Sequence, residues 1–166
     1  SVRTLHDCWE SMARRHANAP CLGTRDVDAK TGTPGKYTFR TFAEVARERV
    51  ALGSAMARFG IAPGSAMGLY SINTPEWVAL EAAMTRQGVI SVPLYDTLGP
   101  DAVVYIANHA SLCAVACSHA VLATMVACLK DTPTVKLVVC YGGRGAGSSD
   151  FAAIRSAREL LPPGGK

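Results

Sequence analysis

The chain is predicted to fold as an α/β domain: a doubly wound, mainly parallel sheet flanked by helices, preceded by an N-terminal helix and a β-hairpin. Three observations predict it. From Ala66 onward, short and almost wholly apolar runs alternate with amphipathic stretches, the pattern of strands buried on both faces and of helices that cover them. The connections are short and carry helix-start residues. Ahead of them, two β-type runs flank a Gly/Pro-containing turn. The 166 residues suit one domain, and 49% hydrophobic against 18% charged residues excludes a disordered composition. A chain this long buries roughly 70% of its unfolded surface. The net charge of +4 is mild, and no Lys/Arg run marks a nucleic-acid surface.

Taken in order, Thr4-x-x-Asp7 is close to a capping box and opens a helix from Leu5 to about His16, with Leu5, Trp9, Met12 and Ala13 at helical spacing. Cys21–Arg25 and Lys36–Arg40 are the strands of the hairpin. Thr41-x-x-Glu44 is a full capping box at the head of the longest helix, Phe42–Phe59. Val45, Leu52, Met56 and Phe59 share its apolar face, and its charged residues read as a solvated face. Gly60 is placed to end that helix in a left-handed conformation. Ala66–Ile72 is the first buried strand. Thr74 caps the next helix, Pro75 suits its first position, Glu76 complements its positive end, and Gly88 stops it. Val89–Leu94 is a strand, and Gly99-Pro100-Asp101 starts a helix to about Ala110. Leu112–Cys117 is a strand, Ser118 caps a helix to Lys130, and Val135–Tyr141 is the last strand. Residues 1–141 thus form one subdomain, and 142–166 a glycine-rich linker followed by a peripheral helix over Phe151–Leu161. The sheet is expected to end on an edge that later strands pair.

Ala102–Leu129 contains no Asp, Glu, Lys or Arg, enough to span a bilayer. Asn108, His109, Ser111, Ser118 and His119 interrupt it where turns belong, so it reads as helix–strand–helix instead.

The residues carry no complete catalytic motif. The six cysteines form no C-x-x-C and read as small buried thiols, which suggests an intracellular protein. The four histidines lie at no ligand-like spacing. Glu76, Glu81 and Asp96 form no defensible acid–base pair, and Ser71, Ser91 and Ser111 lack a G-x-S-x-G context. Gly142–Ser149 lies where a phosphate loop belongs, but Ser148 occupies the position that needs the lysine, so the segment reads as a linker. Tyr95-Asp96-Thr97 lies beyond the C-terminal end of a predicted parallel strand, where open α/β sheets bind ligands. These three are the candidate substrate-binding residues; the alternative is that Asp96 and Thr97 hold the turn before Pro100.

The chain also resembles the N-terminal region of long-chain acyl-CoA synthetases, in the AMP-forming acyl/aryl ligase superfamily, and the plant and algal peroxisomal type most of all. The resemblance is carried by Cys21-Leu22-Gly23-Thr24-Arg25, by Tyr37 through Val45, by Asn73-Thr74-Pro75-Glu76-Trp77, and above all by the run from Val92 through Val103. It covers about residues 4–143. It implies a two-step ligase: ATP, with Mg²⁺, and a fatty acid give an acyl-adenylate, and CoA then forms the thioester. It further implies a peroxisomal or endoplasmic-reticulum membrane-surface setting, with peripheral membrane association. The family's phosphate loop, YTSGTTGxPKG, is absent from these residues. No catalytic residue is therefore carried over, no metal ligand is assigned, and the segment alone is expected to be inactive. Two alternatives stand beside this reading: a truncated acyl-binding or regulatory module, and an unrelated nucleotide-binding domain using Gly142–Ser149.

Overall fold

Threonine caps frame one half of the molecule. In this computed structural model, which describes residues 2–28, 30–142 and 154–156, Thr4 Oγ1 accepts from the Asp7 amide while the Asp7 carboxylate accepts from the Thr4 amide. Helix α1 (Leu5–Arg15) starts there. The Thr41/Glu44 pair starts α2 (Phe42–Arg58) in the same reciprocal way. Thr74 Oγ1 accepts from the Trp77 amide at the head of α3 (Pro75–Gln87), and Gly88 closes that helix at φ 68°. Between α1 and α2, β1 (Pro20–Val27) and β2 (Pro34–Thr41) pair antiparallel as the expected hairpin.

The larger sheet holds β3 (Ala66–Tyr70), β4 (Ile90–Leu94), β5 (Ala114–Ser118), β6 (Leu137–Tyr141) and β7 (Ile154–Ser156), in the order β4-β3-β5-β6-β7. The first four run parallel, and β7 is antiparallel to β6. Helix α4 (Pro100–His109) joins β4 to β5, and α5 (Leu122–Cys128), flanked by 3₁₀ turns, joins β5 to β6.

Side chains alternate across the strands and build a core on each face. Met67, Leu69, Ala116 and Val139 pack with Met56 of α2 and Leu80, Ala83 and Met84 of α3. Tyr70, Val115 and Val138 pack with Val103 and Ala107 of α4, Met125 and Cys128 of α5, and Leu112. Gly68 lies on this second side. A Cβ there would sit 2.9 Å from Leu112 Cδ1 and 3.1 Å from Leu94 Cδ1, so the close packing requires glycine.

Several expectations are corrected. Phe59, read as inward, is 52% exposed because α2 ends at Arg58; the buried stripe runs through Val45, Arg49, Gly53 and Met56. The charged residues of α2 are not all solvated: Arg49 is 1% exposed, and Glu48 is bound by Arg40. The first parallel strand stops at Tyr70, leaving Ile72 exposed. β4 is an edge strand, and Ile90 is largely exposed, so it lacks the full burial its composition implies. Ser118 has the extended backbone of a cap but makes no capping hydrogen bond, and the chain enters α5 through the turn His119–Val121. The helix expected over Phe151–Leu161 is a strand at Ile154–Ser156, where backbone pairing with the β6 edge outweighs helical periodicity. The rest of that helix, and Gly143–Ser149 of the glycine segment, lie outside the described residues. Among the described residues, no helix is long and apolar enough to cross a membrane; Ala102–Leu129 folds as helix, strand and helix.

Candidate functional site

In the order β4-β3-β5-β6, the chain leaves β3 toward β4 on one side and returns to β5 on the other. The crevice outside the C-terminal ends of β3 and β5 is the topological switch point of the sheet, where open α/β sheets bind ligands. Three loops and one strand end surround it: Ser71–Asn73 before α3, Tyr95–Gly99 before α4, Ser118–Val121 before α5, and Tyr141 at the end of β6.

The candidate triplet follows the edge strand β4, one strand from the switch point. Tyr95 is 67% exposed, and Asp96 and Thr97 are exposed with it. The Leu98 amide donates to the Tyr95 carbonyl at 3.0 Å, so the segment is a closed turn. Tyr70, at the end of β3, donates its hydroxyl to the Leu98 carbonyl at 3.3 Å and fastens this turn to the central strands. Burial raises the Tyr70 hydroxyl above its usual range, with the neighbouring Cys128 and Asp96 adding to the effect.

The buried polar groups lie closer to the switch point. Ser71 is 4% exposed and Tyr141 1%. The Tyr141 hydroxyl sits beside the side chains of Ser71 and Thr74, and burial pushes it up to about 12. It therefore remains a neutral O–H at physiological pH. Sequence reasoning missed Ser71 and Tyr141 as a pair. Each ends or follows a different strand, and strand order, which brings them together, leaves no local signal.

Glu76, at the start of α3, is engaged elsewhere. Arg40 of β2 holds both Glu48 oxygens at 3.1 and 2.9 Å and Glu76 Oε1 at 3.1 Å, tying β2, α2 and α3 together. Cys117 and Cys140 are register partners on β5 and β6, and burial pushes the Cys117 thiol up to about 12. All six cysteines are free thiols. Among the described residues, no three His, Cys, Asp or Glu side chains converge as metal ligands. This edge offers hydroxyl groups and a capped helix start, able to orient a ligand but without a nucleophile–base pair.

Strand order and helix placement define a doubly wound α/β unit. Residues 9–161 match the model of the AMP-binding enzyme family, and the chain belongs to that family. It is 44% identical over 143 residues to long chain acyl-CoA synthetase 6, peroxisomal, of Arabidopsis thaliana, covering 86% of this chain and 20% of that protein. It is 41% identical over 142 residues to the peroxisomal long chain acyl-CoA synthetase 7 of the same plant, with the same coverage. The chain thus spans about a fifth of these curated relatives. The same fold occurs in the anthranilate CoA ligase AuaEII, solved with anthranoyl-AMP, at a TM-score of 0.73 and 22% identity over 90% of this chain and 27% of that one.

Proposed function

We propose that this chain is the N-terminal part of a peroxisomal long-chain fatty-acid–CoA ligase. The enzyme would use ATP to activate a fatty acid as acyl-adenylate and CoA to form the thioester. The supporting observation is the 44% identity over 143 residues to a relative named as a peroxisomal long chain acyl-CoA synthetase. The endoplasmic-reticulum alternative draws no such support from the relatives named here. In this reading residues 1–141 are the N-terminal α/β subdomain of the ligase domain, and 142–166 are a connecting region that contributes β7.

The residues present do not complete a nucleotide site. These 166 residues contain no Ser/Thr/Gly-rich phosphate loop of the family form, and no described cluster would hold Mg²⁺. No step through ATP, Mg²⁺ or CoA is therefore assigned here. The C-terminal edge of the sheet would form one wall of the acyl and nucleotide sites. Tyr95, Asp96 and Thr97 would line its outer end, with the Ser71 and Tyr141 hydroxyls near its centre. The test is the full-length protein that carries this segment, assayed with palmitate, ATP, Mg²⁺ and CoA for AMP and palmitoyl-CoA. Turnover is expected from the full-length protein and none from residues 1–166 alone. Failure with palmitate alongside activity on aryl acids would overturn the substrate class. Robust turnover by the segment would overturn its non-catalytic role.

A further inference from the structure

The sequence shows no basic cluster, yet the fold assembles one. Arg14 and Arg15 end α1, Arg49 lies inside α2, and Arg86 ends α3. Three of them share the Glu10 carboxylate: Arg49 Nη1 is 3.3 Å from Oε1, Arg86 Nη1 is 3.6 Å from the same oxygen, and Arg14 Nη1 is 3.9 Å from Oε2. Beside them opens a cavity of about 550 Å³ lined by Val2, His6, Glu10, Arg14, Arg15 and Arg86, among others. Asp7, the other acid on its wall, accepts from the Arg3 and Thr4 amides through Oδ2 and keeps its charge, so four guanidinium groups face two carboxylates.

We infer that this cavity is a binding site for a phosphate-class oxyanion, either a free phosphate compound or a phospholipid headgroup. Guanidinium groups outnumber the carboxylates available to them, and an oxyanion accepting from Arg14, Arg15 and Arg86 balances that surplus in bidentate geometry. The buried Arg49 sharpens the imbalance. Burial lowers its pKa, Glu10 opposes the shift, and Arg86 adds to it by repulsion. His6 contributes a donor: with Arg49 Nη2 pointing at its Nδ1 from 3.1 Å, the ring proton belongs on Nε2. Val2, 58% exposed on the rim, gives an apolar neighbour to whatever carries the phosphate. Arg86 and Thr74 lie at opposite ends of α3, about 18 Å apart at the helical rise. The site is thus separate from the C-terminal edge of the sheet.

The test uses the full-length protein, titrated calorimetrically with inorganic phosphate and co-sedimented with phosphatidylcholine vesicles with and without phosphatidic acid. Arg14→Gln/Arg15→Gln removes two exposed charges without touching the core, and Arg86→Gln removes the third. At least one probe is expected to bind, with affinity falling roughly tenfold or more in the α1 double variant, a change of about 1.4 kcal/mol. Binding of phosphate alone identifies a soluble ligand, and binding of acidic vesicles alone a headgroup. Absence of binding by both probes, or binding undiminished in both variants, overturns the inference. Ligase turnover is not read, so the outcome is independent of the proposed activity.

Discussion

The two faces of the sheet are held by different means. On the α4/α5 face the core runs through apolar contacts, from Val103 and Ala107 to Met125 and Cys128, with no buried charge among the described residues. On the α1–α3 face an apolar core is joined by two arginines. Arg40 links β2 to α2 and α3, and Arg49 reaches from α2 to Glu10 and His6 of α1 and the Ala82 carbonyl of α3. Arg49 also stacks over the Trp9 ring at 5.5 Å. The contrast teaches that periodicity describes a face closed by apolar contact and misses one closed by long-range charge.

Mutation can break or sharpen this contrast. The largest effect is expected from Leu112→Ala on the apolar face, about 3–4 kcal/mol in denaturant unfolding, because Leu112 is fully buried beneath α4 and α5. Arg49→Ala is expected to cost about 3 kcal/mol, since it empties a buried position, leaves His6 Nδ1 without its guanidinium donor and removes the shortest of the three arginine contacts to Glu10. Arg49→Met, which keeps the length but loses the same hydrogen bonds, should cost less than Arg49→Ala by the volume it restores. If Met costs as much as Ala, the charge itself and not the volume holds that face.

Gly68→Ala should cost about 2 kcal/mol by crowding Leu112 Cδ1. Combined with Leu112→Ala it should cost measurably less than the sum, because the second change removes the obstructing methyl. Thr74→Ala, which removes the α3 cap, should cost about 1 kcal/mol.

The smallest effect is in the pH dependence. Hydrogen bonds from the Arg3 amide to Asp7 and from the Thr41 amide to Glu44 hold both carboxyls below their ordinary 3.8 and 4.5. The folded pKa is depressed in each case. Their contribution is therefore present at neutral pH and is lost as pH falls below the unfolded values and through the folded ones. Thermal melts across the acid range should show a shallower decline in Asp7→Asn/Glu44→Gln than in the parent; an unchanged slope would show that these carboxylates titrate alike folded and unfolded.

Much of the fold was legible residue by residue. The Thr4, Thr41 and Thr74 caps, the Gly60 and Gly88 stops and the hairpin all appear where the sequence places them, because each depends on neighbours close in the chain. The candidate site was legible only in part. The position of Tyr95-Asp96-Thr97 beyond a parallel strand could be read, but not that this strand lies at the edge of the sheet. Ser71 and Tyr141, buried nearer the switch point, carry no local pattern that links them.

By itself, the sequence determined the starts of the first three helices, the strand–helix alternation from Ala66 to Tyr141 and the family, since these rest on short-range chemistry and on similarity spread along the chain. Tertiary structure alone decided the strand order, the location of the crevice, and the use of Arg40 and Arg49. The ion pair of Arg40 with Glu76 spans 36 positions, and the contact of Arg49 with His6 spans 43. At such separations chain connectivity does not pick the partner; the packing of α1, α2 and α3 on one face of the sheet does.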